Sequence, residues 1–377
     1  MNTNYLRAIG TLVGTIIGVG IFSIPFVVSK AGIIPLLILL PLLGFAQHLF
    51  HKFYAEIILA DGEMHRLPGY VAKYFGENSR NIVLIIVLIA SYGGLLAYII
   101  MGGIFTHSLL EPILGGSPFI YSSVLFLFSA FIVFFGLKLI AGVELYLSAL
   151  MVLAIGLLSW RSFNHVDLSN YSLIDWRYIF LPYGPIFFSV GGDAAIPEVC
   201  RLLANDKKKI KNVIRWGTFI PVVVTLLFVV AALGATGVNT TPDTLVGLRA
   251  FLSPTLIFIA LVLGLLAVFT SFLTLAQATK EIFIWDFKIK RDVAWFLALA
   301  PPYLLYLIGL HNLTSVVSFT GSVMGGILGV ILIWLFFKVK NGSPKGRAME
   351  TKLSKKMAFI LSLFFVMAFI YSLFEIF

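Results

Sequence analysis

Two hydrophobic segments, far apart in the chain, each contain glycines at mid-length and end in an Ile-Pro pair. The first runs from Gly14 to Pro25 and the second from Phe188 to Pro197. A backbone N–H or C=O that leaves a helix inside a bilayer has no water to bond, so an apolar helix is broken there only where it lines a cavity or is buried in protein. A matched pair of breaks in two halves of a chain is typical of a transporter's binding site. We therefore expect both breaks to face a solute.

The first segment has the groups that would hold a cation and a small zwitterion. Glycine lets the backbone approach a ligand closely, and an unwound stretch exposes carbonyls to a cation. The half-helix expected to begin near Ile21 would direct the positive end of its dipole at a carboxylate beside Gly18–Gly20. Thr15 and Ser23 add hydroxyl groups. Tight packing of small residues is the alternative, but the matching second segment favours binding.

Asp193 follows the second break directly. An isolated carboxylate at membrane depth is costly and is expected to face a cavity or a partner, where it could bind a substrate ammonium or carry a proton. Alternatively, Asp193 caps the half-helix that starts at Ala194, and the two roles are compatible. Phe188 and Ser189 would line the same cavity.

A third candidate lies in the hydrophobic run Ala267–Thr274. The neighbouring hydroxyls of Thr270 and Ser271 could complete an oxygen site for Na⁺. The alternative is that they bond back to carbonyls of their own helix, as Ser and Thr commonly do.

His48, His51 and Glu56 lie at helical spacing and raise the question of a metal site. The sequence offers no second group of ligands, and Lys52 would repel a cation, so we interpret these residues as packing or interfacial groups. Paired catalytic carboxylates, a Ser-Lys dyad and a phosphate-binding glycine loop are also missing from the sequence. We therefore expect no enzyme, metal centre or cofactor other than a coupling ion.

The elements that must position these residues are membrane helices. The 377 residues are 60% hydrophobic and 12% charged, with a mean hydropathy of +1.02, whereas about 25% of a soluble domain is charged. This composition predicts an all-α polytopic membrane protein whose surroundings are the lipid bilayer. The net charge of +10 is explained by basic loops, so nucleic acid is not expected as a partner.

Apolar length and the spacing of Gly, Pro and charged residues predict about eleven transmembrane spans. The expected spans are Arg7–Val28, Ile33–Leu59, Asn81–Phe105, Pro118–Phe135, Ile140–Trp160, Tyr178–Leu203, Val213–Leu233, Pro254–Phe283, Val293–Leu310, Ser315–Phe337 and Met357–Phe374. The start of the chain, Met1–Leu6, has no cleavable signal pattern, so the first span is expected to be retained.

Basic residues are distributed very unevenly between the two sides that these spans define. With the N-terminus inside, Lys and Arg concentrate in the cytoplasmic connections, and only Lys30, Arg161, Arg177 and Arg249 fall on the opposite side. The positive-inside rule requires such an asymmetry. It predicts a multi-pass protein of the plasma (cytoplasmic) membrane with a cytoplasmic N-terminus.

The spans divide into two halves of similar size. Residues 1–160 hold spans one to five and residues 161–340 hold spans six to ten, and an odd number of spans per half makes the halves inverted repeats. Residues 341–377 add a polar linker, Asn341–Lys356, and the eleventh span. Two further segments are expected to be short helices: an amphipathic interfacial stretch at Leu67–Phe75, and an outer helix at Pro242–Leu252 with Thr241 or Asp243 near its cap.

Three motifs resemble those of amino acid permeases of the amino acid/polyamine/organocation superfamily. They are the glycines at 14, 18 and 20 with Pro25; Gly191-Gly192-Asp193 before Ile196-Pro197-Glu198; and Tyr54-Ala55-Glu56 followed by Leu67-Pro68-Gly69-Tyr70. More narrowly, the chain resembles the aromatic (hydroxy/aromatic) amino acid permeases and the sodium-coupled neutral amino acid transporters. The resemblance covers spans one to ten.

This resemblance implies the LeuT-type fold, a five-plus-five inverted repeat with broken helices 1 and 6. It also implies a sodium site at Gly14, Ile17, Ala267, Thr270 and Ser271, and a span-three aromatic residue at Tyr92 or Tyr98. With these, the expected substrate-binding residues are Thr15, Gly18, Val19, Gly20, Phe188, Ser189, Val190, Gly191, Asp193, Tyr92 and Tyr98.

The hypothesis from the sequence is a secondary active symporter that imports amino acids, aromatic or neutral, with a cation by alternating access. Na⁺ is favoured as the coupling ion. A proton symporter with Asp193 as the carrier and an exchanger of the same fold remain open, since aromatic permeases of bacteria are generally considered proton-coupled. More distant alternatives are a channel and an intramembrane enzyme.

Overall fold

The computed structural model describes residues 3–136, 144–342, 351 and 353–376. Part of the fifth predicted span, residues 140–143, and most of the predicted linker, residues 343–350 and 352, lie outside the described residues. In the part that is described, all regular secondary structure is helical.

Fifteen α-helices make up the described chain. They are α1 (Thr3–Ile16), α2 (Gly20–Ala31), α3 (Ile33–Asp61), α4 (Leu67–Phe75), α5 (Glu77–Leu114), α6 (Pro118–Phe135), α7 (Glu144–Phe163), α8 (Tyr183–Ser189), α9 (Ile196–Leu202), α10 (Lys207–Thr236), α11 (Pro254–Glu281), α12 (Arg291–Leu307), α13 (Leu313–Val323), α14 (Gly329–Gly342) and α15 (Lys355–Ile376).

Eight helical segments among the described residues are long and apolar enough to cross a membrane, and α1 with α2 forms a ninth as a bent pair. The other two predicted spans are shorter in the structure. The sixth is divided between α8 and α9, of seven residues each, and the ninth is α12, of 17 residues. Each predicted span thus has a helical counterpart among the described residues, and the prediction of an all-α, multi-pass membrane protein is confirmed.

Both predicted helix breaks are present. The axis bends by 42° between α1 and α2, and Ile17–Val19 belongs to neither helix. In the second segment, α8 ends at Ser189 and a 3₁₀ turn, Asp193–Ala195, leads into α9. Pro197 lies in the first turn of α9, where its missing N–H breaks no helical hydrogen bond.

Several boundaries differ from the sequence prediction. Helix α5 runs for 38 residues, well beyond the expected Asn81–Phe105. The tenth span contains a π-helical segment, Met324–Leu328, between α13 and α14. Its two glycines allow close contact, since a Cβ at Gly325 would lie 2.7 Å from the Tyr183 hydroxyl and one at Gly326 would lie 2.4 Å from Phe369 Cβ.

The two short predicted helices have different outcomes. The segment Leu67–Phe75 is helical over the predicted residues, as α4. The prediction of a helix at Pro242–Leu252 is wrong, because only the 3₁₀ turn Gly247–Ala250 forms there. The side chain of Asp243 accepts the Val246 N–H (2.8 Å) and that of Thr241 accepts the Gly247 N–H (3.0 Å). These two side chains accept N–H groups that backbone carbonyls would accept in a longer helix.

Candidate functional site

The two helix breaks lie directly against each other. A Cβ added at Gly20 would be 2.7 Å from the Cα of Ser189, a distance that real side chains do not adopt. At Gly18 the same atom would lie 3.2 Å from Ser271 Oγ on α11 and 3.3 Å from the Tyr98 hydroxyl on α5. Glycine at these positions therefore allows the backbone of the first break to touch three other helices.

A cavity opens beside the breaks. From the predicted site it is lined by Thr15, Tyr98, Phe188, Gly191, Asp193 and Ser271, and it also reaches Tyr54, Arg66, Ser91, Gly94, Leu275 and Met324. The structure thus brings together residues from both breaks with α3, α5 and α11, which are distant in sequence. Sequence reasoning did not predict that these additional residues line the cavity. Most of them are small or apolar and belong to no motif, and Tyr54 was noted only as part of a family motif.

The cavity is closed on the side of α2. The ring of Phe22 packs edge-on against Phe105 (5.3 Å between centroids) and Phe228 (5.7 Å). The Thr244 hydroxyl, in the segment between α10 and α11, donates to the Phe22 carbonyl (2.5 Å). From the breaks the cavity extends instead towards Arg66, at the start of α4.

Hydrogen bonds refine the expected carboxylate site at Gly18–Gly20. The Gly18 N–H already donates to the Ile16 carbonyl (2.9 Å), so it is not a free donor. The first amides of α2 have no intrahelical partner, as at any helix N-terminus, and no side chain caps this helix. The amides available to an anion would then be those at the start of α2, at Gly20 and Ile21, rather than that of Gly18.

Apart from the glycines, four predicted substrate residues do not line the cavity with their side chains: Val19, Ser189, Val190 and Tyr92. Val19 and Val190 are fully buried in apolar packing, so only their backbone can contribute. Tyr92 donates to the Leu297 carbonyl of α12 (2.6 Å). Because residues six apart on a helix point in different directions, only Tyr98 of the two tyrosines reaches the cavity.

At the second break, the residue in contact with Gly20 is Ser189, whose side chain carries a hydroxyl group. Its side chain is buried, and within the described residues its Oγ has no hydrogen-bond partner. The neighbouring ring of Phe188 lies 6.3 Å from that of Tyr98, centroid to centroid. An unpaired oxygen therefore lies on the residue that follows Phe188.

The predicted sodium ligands are partly brought together. Ser271 Oγ on α11 donates to the Gly14 carbonyl of α1 (3.3 Å), and Thr270 Oγ1 donates to the Ala267 carbonyl (3.1 Å). These are uncharged oxygens of the kind that hard cations prefer. The back-bond of Thr270 to its own helix, the alternative considered above, is also present. The remaining predicted ligand is the carbonyl of Ile17, the first residue of the break between α1 and α2.

Asp193 does not cap the half-helix that follows. Its Oδ2 accepts the side-chain amide of Gln47 (2.8 Å), and its Oδ1 lies 3.8 Å from His51 Nε2. Sequence reasoning missed Gln47 and considered His51 only for a metal. Two polar residues four apart on an otherwise apolar helix were the available signal, since such residues are rarely placed in a membrane without a function.

A second polar network joins the start of α4 to its neighbours. Arg66 pairs with Glu281 of α11 (2.5 Å) and donates to the carbonyl of Ala194 beside the second break (3.0 Å). Asp286 accepts the N–H groups of Arg66 (3.2 Å) and Gly69 (2.9 Å), which fixes the N-terminus of α4. Sequence reasoning did not find this network, because its members come from three separate segments.

His48, His51 and Glu56 do not assemble into one cluster, since Glu56 instead accepts the Thr351 hydroxyl (2.9 Å). Among the described residues, metal-ligand geometry is found only for Asp61, Glu63 and His65.

Lys73 occupies the Asp61–Glu63 group, donating to Asp61 (3.0 Å) and to Glu63 (2.9 Å). Its hydrogen bond, followed by that of His65, lowers the pKa of Glu63 below its ordinary value. A lysine ammonium thus already pairs with both carboxylates there.

Comparison with known proteins gives a family for nearly the whole chain. Residues 1–373 match the family model described as the tryptophan/tyrosine permease family. No curated protein sequence matches the chain significantly.

Solved transporter structures share the fold. The complex of MhsT with L-phenylalanine aligns with 99% of this chain and 98% of its own, at 17% identity and a TM-score of 0.67. The Eremococcus coleocola manganese transporter covers 99% and 86%, at 13% identity and a TM-score of 0.71. A Na⁺-coupled sialic acid symporter covers 99% and 88%, at 13% identity and a TM-score of 0.66. The predicted LeuT-type fold is confirmed.

Proposed function

The chain belongs to the tryptophan/tyrosine permease family, and from this premise we propose that it imports aromatic amino acids together with Na⁺ by alternating access. It is a transporter and not an enzyme. The observation that carries the proposal is the meeting of two broken helices at a cavity bordered by two aromatic rings. A solved neighbour of the same fold holds L-phenylalanine.

The breaks offer opposite charges to the two ends of an amino acid. The substrate carboxylate accepts hydrogen bonds from the first amides of α2, where the helix dipole is positive. Its ammonium donates to Ser189 Oγ and to carbonyls freed at the second break. This pose satisfies groups that the fold leaves without partners.

The walls of the cavity suit a large aromatic side chain. Tyr98 and Phe188 provide ring faces for stacking, and α5 contributes small residues at Ala90, Ser91 and Gly94. The space beside Gly94 is limited, because a Cβ there would lie 2.7 Å from Leu275 Cδ2. A planar ring, which is thin, fits such a gap better than a branched aliphatic side chain.

Binding of Na⁺ would couple to alternating access through α1 and α11. The Gly14 carbonyl and the Ser271 hydroxyl come from different helices and already lie 3.3 Å apart. A cation coordinated by both would favour arrangements in which the two helices stay adjacent. Substrate and Na⁺ bind next to the same break, so occupancy of one site would favour the other.

Orientation follows from the distribution of basic residues. We assign the N-terminus and the Arg66 side of the molecule to the cytoplasm, and the protein to the plasma membrane, by the positive-inside rule. The cavity then extends towards the cytoplasm, as expected for a state that releases an imported substrate. Inverted repeats over residues 1–160 and 161–340 would rock about the central site to expose it outside.

Counterflow in proteoliposomes tests the proposed substrate class. Vesicles loaded with unlabelled tryptophan should accumulate labelled tryptophan, tyrosine and phenylalanine in preference to leucine and alanine, and external Na⁺ should increase uptake. Tyr98→Phe should weaken uptake, while Tyr92→Phe, the same change on the same helix but directed at α12, should not. Equal uptake of aliphatic and aromatic substrates would refute the aromatic preference.

A further inference from the structure

A second concave surface lies outside the substrate cavity, in a groove between α6 and α12. The groove has a volume of about 600 Å³, and the side chains that line it are apolar except for the Tyr303 hydroxyl and the Trp295 indole N–H. That N–H donates to the Ala130 carbonyl (2.9 Å). Phe131 and Phe296, one on each helix, are exposed. The groove therefore offers an almost entirely apolar wall on a side of the molecule that would contact lipid.

Aromatic contacts fix the shape of the groove at both ends. The ring of Phe126 stacks on that of Tyr303 (4.2 Å between centroids), and the ring of Phe134 lies edge-on to Trp295 (5.4 Å). Such ring pairs prefer a definite geometry and add stability beyond the area that they bury. The groove is therefore held open by packed rings on both helices.

The length of the groove matches one leaflet of a bilayer. It runs from Phe126 to Phe135 on α6 and from Trp295 to Leu304 on α12, which is about 14 Å at a rise of about 1.5 Å per residue. The hydrocarbon core of a bilayer is about 30 Å thick. Helix α12 starts at Arg291, on the side that we assign to the cytoplasm. The groove thus accommodates an acyl chain of the cytoplasmic leaflet.

Exposed basic residues lie at the cytoplasmic end of the groove. Arg291 donates to the carbonyl of Phe134 (2.8 Å), and this bond uses only one of the five N–H donors of a guanidinium. Lys288 and Lys290 precede Arg291 and are also exposed. Within the described residues none of these three cations forms an ion pair, even with Asp292, the carboxylate that follows Arg291. They are therefore available to an anion.

A buried ammonium adds positive charge at the same end. Lys280 is 2% exposed, and its Nζ donates to the Val133 carbonyl at the end of α6 (2.7 Å). The neighbouring Glu281 pairs with Arg66 instead, and Lys280 and Arg291 repel each other. The C-terminal dipole of α6 offsets part of the ammonium charge, but a buried charge without an ionic partner is costly. An anion beside Arg291 would lower that cost.

We propose that this groove binds one anionic phospholipid of the cytoplasmic leaflet, with an acyl chain between α6 and α12 and its phosphate at Lys290 and Arg291. Basic clusters at the cytoplasmic surface attract anionic lipids, and the zwitterionic headgroup of phosphatidylcholine would bring a second cation to this end. A second copy of the chain is a less suitable occupant, because a two-fold interface places the same patch on both sides and would bring two basic ends together. The site shares no lining residue with the substrate cavity, so it does not depend on the proposed function.

The test measures quenching of Trp295 fluorescence by lipids with brominated acyl chains. The full-length protein is reconstituted in phosphatidylcholine vesicles that contain increasing fractions of brominated phosphatidylglycerol or, in parallel, of brominated phosphatidylcholine. The difference between the wild type and Trp295→Phe isolates the signal of Trp295 from that of the other tryptophans. We expect half-maximal quenching of Trp295 at a fraction of the anionic lipid at least tenfold lower than that of the zwitterionic one.

Two double variants test whether the preference comes from this site. Lys290→Gln with Arg291→Gln should raise the half-quenching fraction of phosphatidylglycerol to that of phosphatidylcholine. Lys207→Gln with Lys208→Gln removes the same charge from the start of α10, on the same side of the membrane, and should leave the preference unchanged. All four residues are exposed, so both variants should fold, and their melting temperatures would verify this.

Three results would overturn the proposal. Equal quenching by the two brominated lipids would show that the groove does not select an anionic lipid. A preference that persists without Lys290 and Arg291, or that is lost in the α10 variant, would assign it to the basic surface in general. Protection of Trp295 from both lipids would show that protein covers the groove, as in a dimer of this chain.

Discussion

At the scale of single residues, the site depends on glycines, which have no side chain, as much as on the side chains that line the cavity. Gly20 allows the start of α2 to touch Ser189, and a Cβ there would overlap backbone that cannot rotate away. The two breaks could then no longer lie in contact.

We predict that Gly20→Ala costs about 1–3 kcal/mol in stability, as for other overpacked positions, and abolishes tryptophan binding. Gly156→Ala on α7 is the matched control, because a Cβ there meets no atom within 4 Å and alanine is the better helix former. Thermal unfolding and binding of labelled tryptophan in detergent would measure both effects. Normal binding by Gly20→Ala would mean that the contact between the breaks is not needed.

The hydroxyl of Thr270 is expected to coordinate Na⁺ when it leaves the carbonyl of Ala267. Thr270→Ala should raise the Na⁺ concentration for half-maximal uptake roughly tenfold, equivalent to about 1.4 kcal/mol. Thr274→Ala, one turn further on the same helix, should leave it unchanged. Uptake assays over a range of Na⁺ concentrations would decide, and the same Na⁺ activation in wild type and Thr270→Ala would count against the α1–α11 site.

At the scale of elements, α4 is held by charged groups at the end of the cavity that lies beside Arg66. Arg66 and Glu281 are mostly buried, with side chains 10% and 17% exposed. Removing one member of such a pair leaves the other unpaired and typically costs 3–5 kcal/mol.

Arg66→Gln should therefore lower the melting temperature far more than Arg201→Gln. Arg201 also pairs with a glutamate, Glu198, but its side chain is 71% exposed, and exposed pairs contribute about 0–1 kcal/mol. Equal melting temperatures for the two variants in the same detergent would show that the Arg66 network does not hold α4.

The segment between α10 and α11 predicts a dependence on pH. Burial raises the pKa of Asp243 above its ordinary value, although the Val246 N–H opposes this. Because the folded state binds this proton more tightly than the unfolded state, stability is lost as pH rises from about 4 through the raised pKa. Asp243→Asn should remove that loss. If the melting temperatures of the wild type and Asp243→Asn changed with pH in parallel, this prediction would be contradicted.

At the scale of the whole molecule, the sequence predicts most of the architecture. Hydrophobic length marks the spans because the bilayer imposes it. Glycines beside an Ile-Pro pair mark the breaks because backbone groups freed inside a bilayer must be satisfied by protein or by the contents of a cavity. The bounds of α5 were less accurate, because packing and water, not lipid alone, decide where a helix ends.

The partners within the site were harder to predict. Tyr92 and Tyr98 look equivalent in sequence, and only the rotation of α5 separates them. The Gln47–His51–Asp193 cluster and the Arg66 network join segments that are more than a hundred residues apart, and no local pattern encodes such contacts. The hydroxyls of α11 were found because a family motif marks them.

The most direct test of the account is an experimental structure of the full chain with L-tryptophan and Na⁺ in lipid nanodiscs. We expect both helices to remain broken, with the tryptophan carboxylate at the first amides of α2, its ammonium at Ser189, and its ring between Tyr98 and Phe188. Tryptophan bound away from the breaks, or continuous helices through Gly18 and Gly191, would contradict the central claim.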